Sequence, residues 1–595
     1  MRPSLLAAAL ALVVFYLRSA PGVTFEDAGE LAAAATSFGV AHPPGYPLLS
    51  LVGGVLIWIG DLFGMEPARC LVLLSVFSSA AAVGLIARVV EVTQPKAKGA
   101  ALLAGLLLVL SPTFAAQAVV VEAYGPAAAL QAGLLLAALV ARPLVVGLLF
   151  GLALAAHPGS LFLAPLFIFG VLRAPNRRSA WLRGGAGLAL GLSSFLYIPL
   201  AAARAAGRVD ILNWGGIHDL SSLMSHLLRE QFGSGPERDF VAQATFASEQ
   251  LVGQWPLILV LVLIWGVRWK RQDTEVKHLL DAAALLFGVT LFVTAMGSFW
   301  VQHWPVSEEI ARVRLAGSFT PMIVVCSALV GVLLCRVEER WGKRPLPLFV
   351  LLVLGLGIFP ASPYGAPTLA AFQDMSQVTE AETYAEAVLG AAPEGAILVV
   401  NRLGFSDVLY FPLLYAQFAL GKRSDVLVID RELLSADWYR AQLATQRPAL
   451  APSLERLQIQ VAAVADKGPK ARRLASVPFL QELASSRLLT PSGLGFIGKP
   501  SPLICGQLPP CGRSQWMVAW QLPPDGERPS HRLELGLSSP RRARSLAPRA
   551  TKAGRSPRSK LTTCSSEFRL ESRLDCECRA KMRPYQSHPG SSQQE

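Results

Sequence analysis

The chain has 595 residues, of which 52% are hydrophobic and only 16% charged, with a mean hydropathy of +0.44. A soluble protein is nearer a quarter charged, and here the apolar residues come in runs, so the composition excludes an ordinary soluble enzyme and points to a polytopic α-helical membrane protein. The net charge of +13 does not signal a nucleic-acid binder, because more than half of it lies beyond residue 523.

Apolar segments fall at about 4–17, 46–60, 70–88, 99–116, 126–141, 143–157, 159–173, 184–202, 250–267, 278–299, 316–335 and 345–360. The first follows Arg2 and resembles a signal peptide in length; it reads as an uncleaved first helix that anchors the loop after it. That loop, residues 24–47, holds Glu26, Asp27 and Glu30 and then the rigid His42-Pro43-Pro44-Gly45-Tyr46-Pro47. Carboxylates crowded beside a membrane are costly and point to function.

Sidedness turns on segment 46–60. If it lies along or dips into the membrane, the loops carrying Arg2, Arg88, Arg142, Arg173, Arg268 and Arg336 fall on one side, with roughly twice the basic residues of the opposite loops. The positive-inside rule then makes those loops cytoplasmic. Full crossing by 46–60 would reverse the bias, so the segment reads as juxtamembrane or re-entrant. About eleven spanning helices result, with a cytoplasmic N-terminus. The acidic loop, Glu122, Tyr124, His157, loop 203–249 and loop 301–315 then share the external face.

Three regions follow: 1–360 as the transmembrane domain, 361–522 as an external α/β domain, and 523–595 as a disordered basic tail rich in Arg, Ser and Pro. Within the second, 396–401 and 425–430 read as parallel strands around a helix at 405–419, with a further helix at 433–443. Leu457–Val464 and Gln515–Leu522 are further strand candidates. The eight cysteines form no disulfide framework; Cys70, Cys326 and Cys335 read as packing residues, and Cys505 and Cys511 are placed for one local bridge.

Sugar transfer from a lipid phosphate needs a base for the acceptor hydroxyl and cationic or hydrogen-bonding groups for the departing phosphate. Asp27 fits the first role and Glu30 is the second catalytic candidate, while Glu26 reads as a helix-end residue favouring the dipole. His42, directed by its prolines, is a phosphate ligand or an orienter of the carboxylate. Glu122 and Tyr124 offer sugar contacts. His157 reads either as a substrate contact or as a cap of its helix end. Asn213 and Trp214 pair an amide for hydroxyls with an indole for a sugar ring face. Arg312 and Arg314 read equally as phosphate clamps or, for Arg312 with Glu308, as a helix-surface pair. No nucleotide loop or metal motif appears. No cofactor is therefore expected, with a divalent metal left open.

The acidic loop running into AHPPGYPLLSL, then VEAY, AHPG, YIPL with LNWGG, and KRSDVLVIDRELLSADWY together resemble a bacterial multi-pass membrane family. That family is related to the eukaryotic protein O-mannosyltransferase that modifies IPT domains, and more distantly to lipid-dependent glycosyltransferases of the C-type membrane fold. The resemblance covers about residues 1–445. It implies a sugar, mannose or another hexose, passed from a polyprenyl-phosphate to a hydroxyl of an acceptor protein or glycan outside a bacterial cytoplasmic membrane. Asp27 stands at the family's acidic loop position and Glu30 at its second carboxylate. Ala28 departs from the small polar residue usual after the Asp, and the tail has no counterpart. The rival reading is a transporter or flippase of lipid-linked sugars. Transporters place charges at the membrane midplane and often show repeats, whereas here the polar residues gather in external loops.

Overall fold

A computed structural model describes residues 2–230, 286, 288–293, 319–341, 374–400, 406–464, 469–485, 494–497, 516–521 and 533–535. Arg312, Arg314, segments 250–267 and 345–360, Cys505, Cys511 and nearly all of the tail lie outside these residues. All the elements below belong to one compact unit, Met1–Ser538.

The apolar runs become helices that begin at prolines. Helices α1 (Pro3–Arg18), α3 (Pro47–Asp61), α4 (Pro67–Thr93), α6 (Pro112–Ala118) and α8 (Pro143–Ala156) each carry Pro in the first turn. There the missing N–H costs nothing and φ is already helical. Between them lie α2 (Ala28–Ser37), α5 (Lys98–Val109) and α7 (Tyr124–Leu139). After a tight turn at Pro158–Leu163 come α9 (Ala164–Leu172), α10 (Arg177–Leu192), α11 (Tyr197–Ala205), α12 (Leu220–Leu227) and α13 (Thr320–Trp341).

Among the described residues two helices are long and apolar enough to cross a membrane: α4, and the continuous rod Arg177–Ala205. The expectation of one straight span over 99–116 does not hold. The chain bends by 69° between α5 and α6, where Pro112 cannot continue the hydrogen-bond ladder and Ser111 Oγ caps Phe114 N–H at 3.4 Å. Counted as one span, this pair makes three long helices among the described residues. The other apolar helices are shorter.

Helix α3 is one of the short ones, about 22 Å long at its 15 residues, less than the roughly 30 Å apolar core of a bilayer. Leu49, Gly53, Ile57 and Gly60 are buried on one side, while Leu51, Val55, Trp58 and Ile59 are exposed on the other. That is the pattern of a helix lying on its neighbours with an apolar face turned outward. Helices α8 and α10 pack closely through small residues, Gly147 against Gly184 and Gly151 against Gly191, as membrane helices do where no hydrophobic drive separates them from lipid.

The second region begins with α14 (Glu380–Ala391). Strand β1 (Ile397–Val400), helix α15 (Ser406–Leu414) and strand β2 (Leu427–Asp430) form the expected βαβ unit with a parallel pair, Ile397 opposite Leu427. Then follow α16 (Asp437–Gln446), α17 (Ala451–Ala462), α18 (Pro469–Leu474), α19 (Val477–Ser485), β3 (Leu494–Ile497), β4 (Trp516–Gln521) and β5 (Leu533–Leu535). The sheet order is β2-β1-β3-β4-β5, with β3 parallel to β1 and the last two pairs antiparallel. Strand β5 carries the sheet past residue 523. The strand candidate at 457–464 falls instead largely within α17. Leu454, Leu457 and Val461 recur at three and four and bury one face against Phe479, Leu480 and Leu483, a helical period.

One apolar core runs from the helices into this domain and includes Leu398, Val400, Leu409 and Phe411. Helix α2 meets α15 at Gly29, where any Cβ would strike the Phe411 carbonyl. Glu382 Oε1 accepts the Val23 N–H at 2.9 Å, and Arg18 O accepts the Met375 N–H at 3.0 Å. The acidic loop is thus held between the N-terminal helices and the α/β domain.

Candidate active site

Asp27 stands at the N-terminal boundary of α2, and Glu30 lies one turn inside it. After α2 the chain turns at Phe38, in the left-handed region, and residue 40 pairs with the later loop. Leu212 O accepts the Val40 N–H at 2.8 Å and Val40 O accepts the Trp214 N–H at 3.1 Å. This clamp fixes the approach to His42. A cis Pro43–Pro44 bond and Gly45 at φ +95° then reverse the chain into α3. Gly45 is needed there twice over, since a Cβ would also lie 2.9 Å from Ile198 Cδ1.

His42 is held from three directions. Its backbone N–H donates to Glu30 Oε1 at 2.8 Å, and its Nδ1 lies 2.8 Å from Glu30 Oε2. Its Nε2 faces Asp27 Oδ2 at 3.7 Å. The ring stacks on Phe411 at 6.3 Å and meets the edges of Tyr46 and Trp214 at 5.2 and 6.2 Å. Burial opposes the charged imidazole, but Glu30 and then Asp27 outweigh it and raise the His42 pKa.

A second tier lies beside the first. Tyr124 packs on His157 at 4.9 Å, and Tyr46 stacks on His157 at 6.4 Å. Burial, then the charges of Asp27 and Glu26, push the Glu122 carboxyl well above its usual range. Burial, then the charge of Arg229, push His157 down to about 3. The Arg229 charge is felt at His42, Tyr46 and Tyr124 as well. His226 lies against Gly45 and Gly215 and is pushed down to about 4, by burial first and the His42 charge next. The arrangement offers a partly open carboxylate, Asp27, with 37% of its side chain exposed, beside a histidine whose pKa is raised, a carboxyl biased toward its neutral form and an arginine.

Asp27, Glu30, His42, Glu122, Tyr124, His157 and Trp214 are therefore brought together. Two roles change. Glu30 is completely buried, with both oxygens turned to His42, a geometry that suits it to hold the histidine in place. Asn213 stands opposite Val40 in the short parallel bridge made by Leu212 and Trp214, and it also lines a neighbouring cavity whose other wall comes from the α/β domain. Four participants were not picked out from sequence. Tyr46 sat inside the quoted motif, and His226 and Arg229 were visible only as polar residues of a loop. Phe411 carried no signal, because only folding brings an outer-domain helix onto His42.

Residues 27–180 match the family model described as the N-terminal domain of the protein O-mannosyl-transferase TMEM260, which bears out the resemblance read from the motifs. The mouse protein O-mannosyl-transferase TMEM260 is 24% identical over 474 residues, 73% of this chain and 62% of the mouse protein. The chain thus spans less than two thirds of that relative's length. The Dictyostelium discoideum protein O-mannosyl-transferase tmem260 is 49% identical over 41 residues, 7% of this chain and 5% of that protein. Among solved structures, ArnT from Cupriavidus metallidurans, bound to undecaprenyl phosphate, aligns with a TM-score of 0.45 and 15% identity over 72% of this chain and 90% of that one. The Archaeoglobus fulgidus oligosaccharyltransferase, in complex with Zn and sulfate, aligns with a TM-score of 0.39 and 13% identity over 76% and 71%.

Proposed function

We propose that this chain is a membrane glycosyltransferase that moves a hexose, mannose in the first instance, from a polyprenyl-phosphate onto an acceptor hydroxyl at the external face of the membrane. The observation that carries the reading is the Asp27–His42–Glu30 constellation. One carboxylate is open, one is buried, and both raise the pKa of the histidine between them. Asp27 takes the proton of the acceptor hydroxyl as that oxygen bonds to the sugar C1. The bond from C1 to the phosphate oxygen breaks, and its electron pair leaves with the lipid phosphate. Positive charge from Arg229 and His42 offsets the negative charge on the departing group. Glu30 contributes by fixing the ring and favouring its charge. Glu122, biased toward its neutral form, can donate a hydrogen bond to a sugar hydroxyl, and Trp214 and Tyr124 supply flat apolar faces.

The test supplies purified protein with polyprenyl-phosphate mannose and Ser/Thr-containing peptides and measures sugar transferred, with and without a chelator. Mannosylated peptide that disappears with Asp27→Asn supports the reading. Movement of the intact lipid-linked sugar across a vesicle membrane, with no transfer, would support the transporter instead.

A further inference from the structure

Beside the candidate active site is a cavity of about 680 Å³, walled on one side by Ser37, Asn213 and Trp214 and on the other by Val428, Trp438 and Gln442. Its size suits a ligand of several residues or rings. Trp214 stands between the two spaces, 6.2 Å from His42 and 5.4 Å from Trp438.

Three observations say what the cavity takes. Strand β2 is an edge strand of the sheet. Leu427 and Arg431 donate their N–H groups to Ala396 O and Val400 O, so the odd-numbered residues bond β1 and the even-numbered ones face the free edge. Gln417 Nε2 occupies Val426 O at 2.7 Å, and Tyr439 Oη accepts the Asp430 N–H at 2.8 Å. Val428, between them, has no hydrogen bond on that side among the described residues and lines the cavity. Second, one residue of each wall carries a buried polar atom without a partner, the acceptor Asn213 Oδ1 on one side and the donor Trp438 Nε1 on the other. Both atoms are shielded from water, and a ligand would meet them by turning neighbouring side chains aside. Third, the arginines around the cavity are already engaged. Arg204 donates to Ser37 O and Phe38 O, Arg208 to Asp210, and Arg447 to Gly395 O and Asp425 O. An anion such as a lipid phosphate finds no uncommitted arginine among the described lining residues, whereas a neutral chain bearing alternating N–H and C=O groups meets an open pair at Val428.

The geometry points to this cavity as a docking site for an extended segment of acceptor polypeptide, laid along the free edge of β2 so that its hydroxyl side chain passes Trp214 toward Asp27. This rests on the glycosyltransferase reading for its role in the reaction, but peptide binding can be measured without donor.

The experiment uses the full chain in detergent and a fluorescent twelve-residue Thr/Val peptide, followed by anisotropy. A set of the same peptide carries one backbone N-methyl group at each position in turn. Pairing at Val428 predicts loss of affinity, tenfold or more, at one central position, the one whose N–H meets Val428 O, with little effect at the positions on either side. Gln442→Trp, which fills the cavity from α16, should weaken the unmodified peptide at least tenfold, with thermal unfolding checked in parallel. No peptide binding, N-methyl effects absent or spread evenly over all positions, unchanged affinity in a folded Gln442→Trp protein, or competition by maltoheptaose but not by unlabelled peptide each overturns the proposal. Because the assay contains no lipid-linked sugar, its failure is distinct from a failure of Asp27-dependent transfer.

Discussion

Two regions meet at Trp214 and are built on opposite principles. On one side, around His42, ionisable groups are packed together: Glu30 and Asp27 raise His42 against its burial, burial and then Asp27 and Glu26 raise Glu122, and burial and then Arg229 lower His157. On the other, the cavity wall holds neutral polar atoms without partners, and its arginines are spent on backbone carbonyls and Asp210. The first region is suited to moving a proton and stabilising charge. The second is suited to recognising a neutral chain. The difference teaches that burial alone does not mark a reactive site; what matters is whether buried charge is confronted with buried charge.

The contrast is broken most sharply at Asp27. Asp27→Asn should lower kcat by about 10²–10⁴-fold, the usual worth of a general base, while peptide affinity holds. Full activity in this variant would remove the catalytic side of the comparison. Next in size, Glu30→Ala leaves His42 buried without its main partner. It should cost about 3–5 kcal/mol, the scale for breaking a buried pair, read by thermal unfolding in detergent, with Glu30→Gln milder.

The pH dependence sharpens the contrast further. Glu122 prefers its neutral form in the fold, so its contribution is intact below about pH 4.3, the unfolded carboxyl value, and is lost as pH rises toward its raised folded value. Glu122→Gln should therefore gain thermal stability over the native chain as pH rises from about 4.3. His157 has the opposite sign. Its folded value near 3 means that stability present above about pH 6.5 is lost as pH falls toward 3, and His157→Gln should flatten that acid limb. The smallest effect is expected on the neutral side. Trp438→Phe deletes an N–H that has no partner and should change stability by about 1 kcal/mol or less, where truncating the packed Trp214 to Ala should cost about 3–5 kcal/mol.

Much of the fold could be read from the chain because its signals are local. Proline at the head of an apolar run starts a helix whatever surrounds it, and AILVV and DVLVID read as strands from their composition. The stretch 457–464 misled because Leu457, Ile459 and Val461 alternate like a strand over a short window, while the three-and-four spacing from Leu454 appears only over a longer one. The bend at Ser111–Pro112 was hidden by the apolar run continuing through it.

By itself, the sequence determined the membrane class, the positions of most helices, the βαβ unit and the acidic loop with its His42 motif, since each depends on neighbours a few residues apart. The tertiary structure alone decided what those residues do. Asp27 and Glu30 are chemically similar and three positions apart, and nothing local distinguishes the open one from the buried one. The distinction comes from Trp214 and Phe411, which close over His42 from distant parts of the chain and turn the ring so that one nitrogen meets Glu30 and the other faces Asp27. Burial and ring orientation are properties of packing, and packing is set by contacts that no short window of sequence contains.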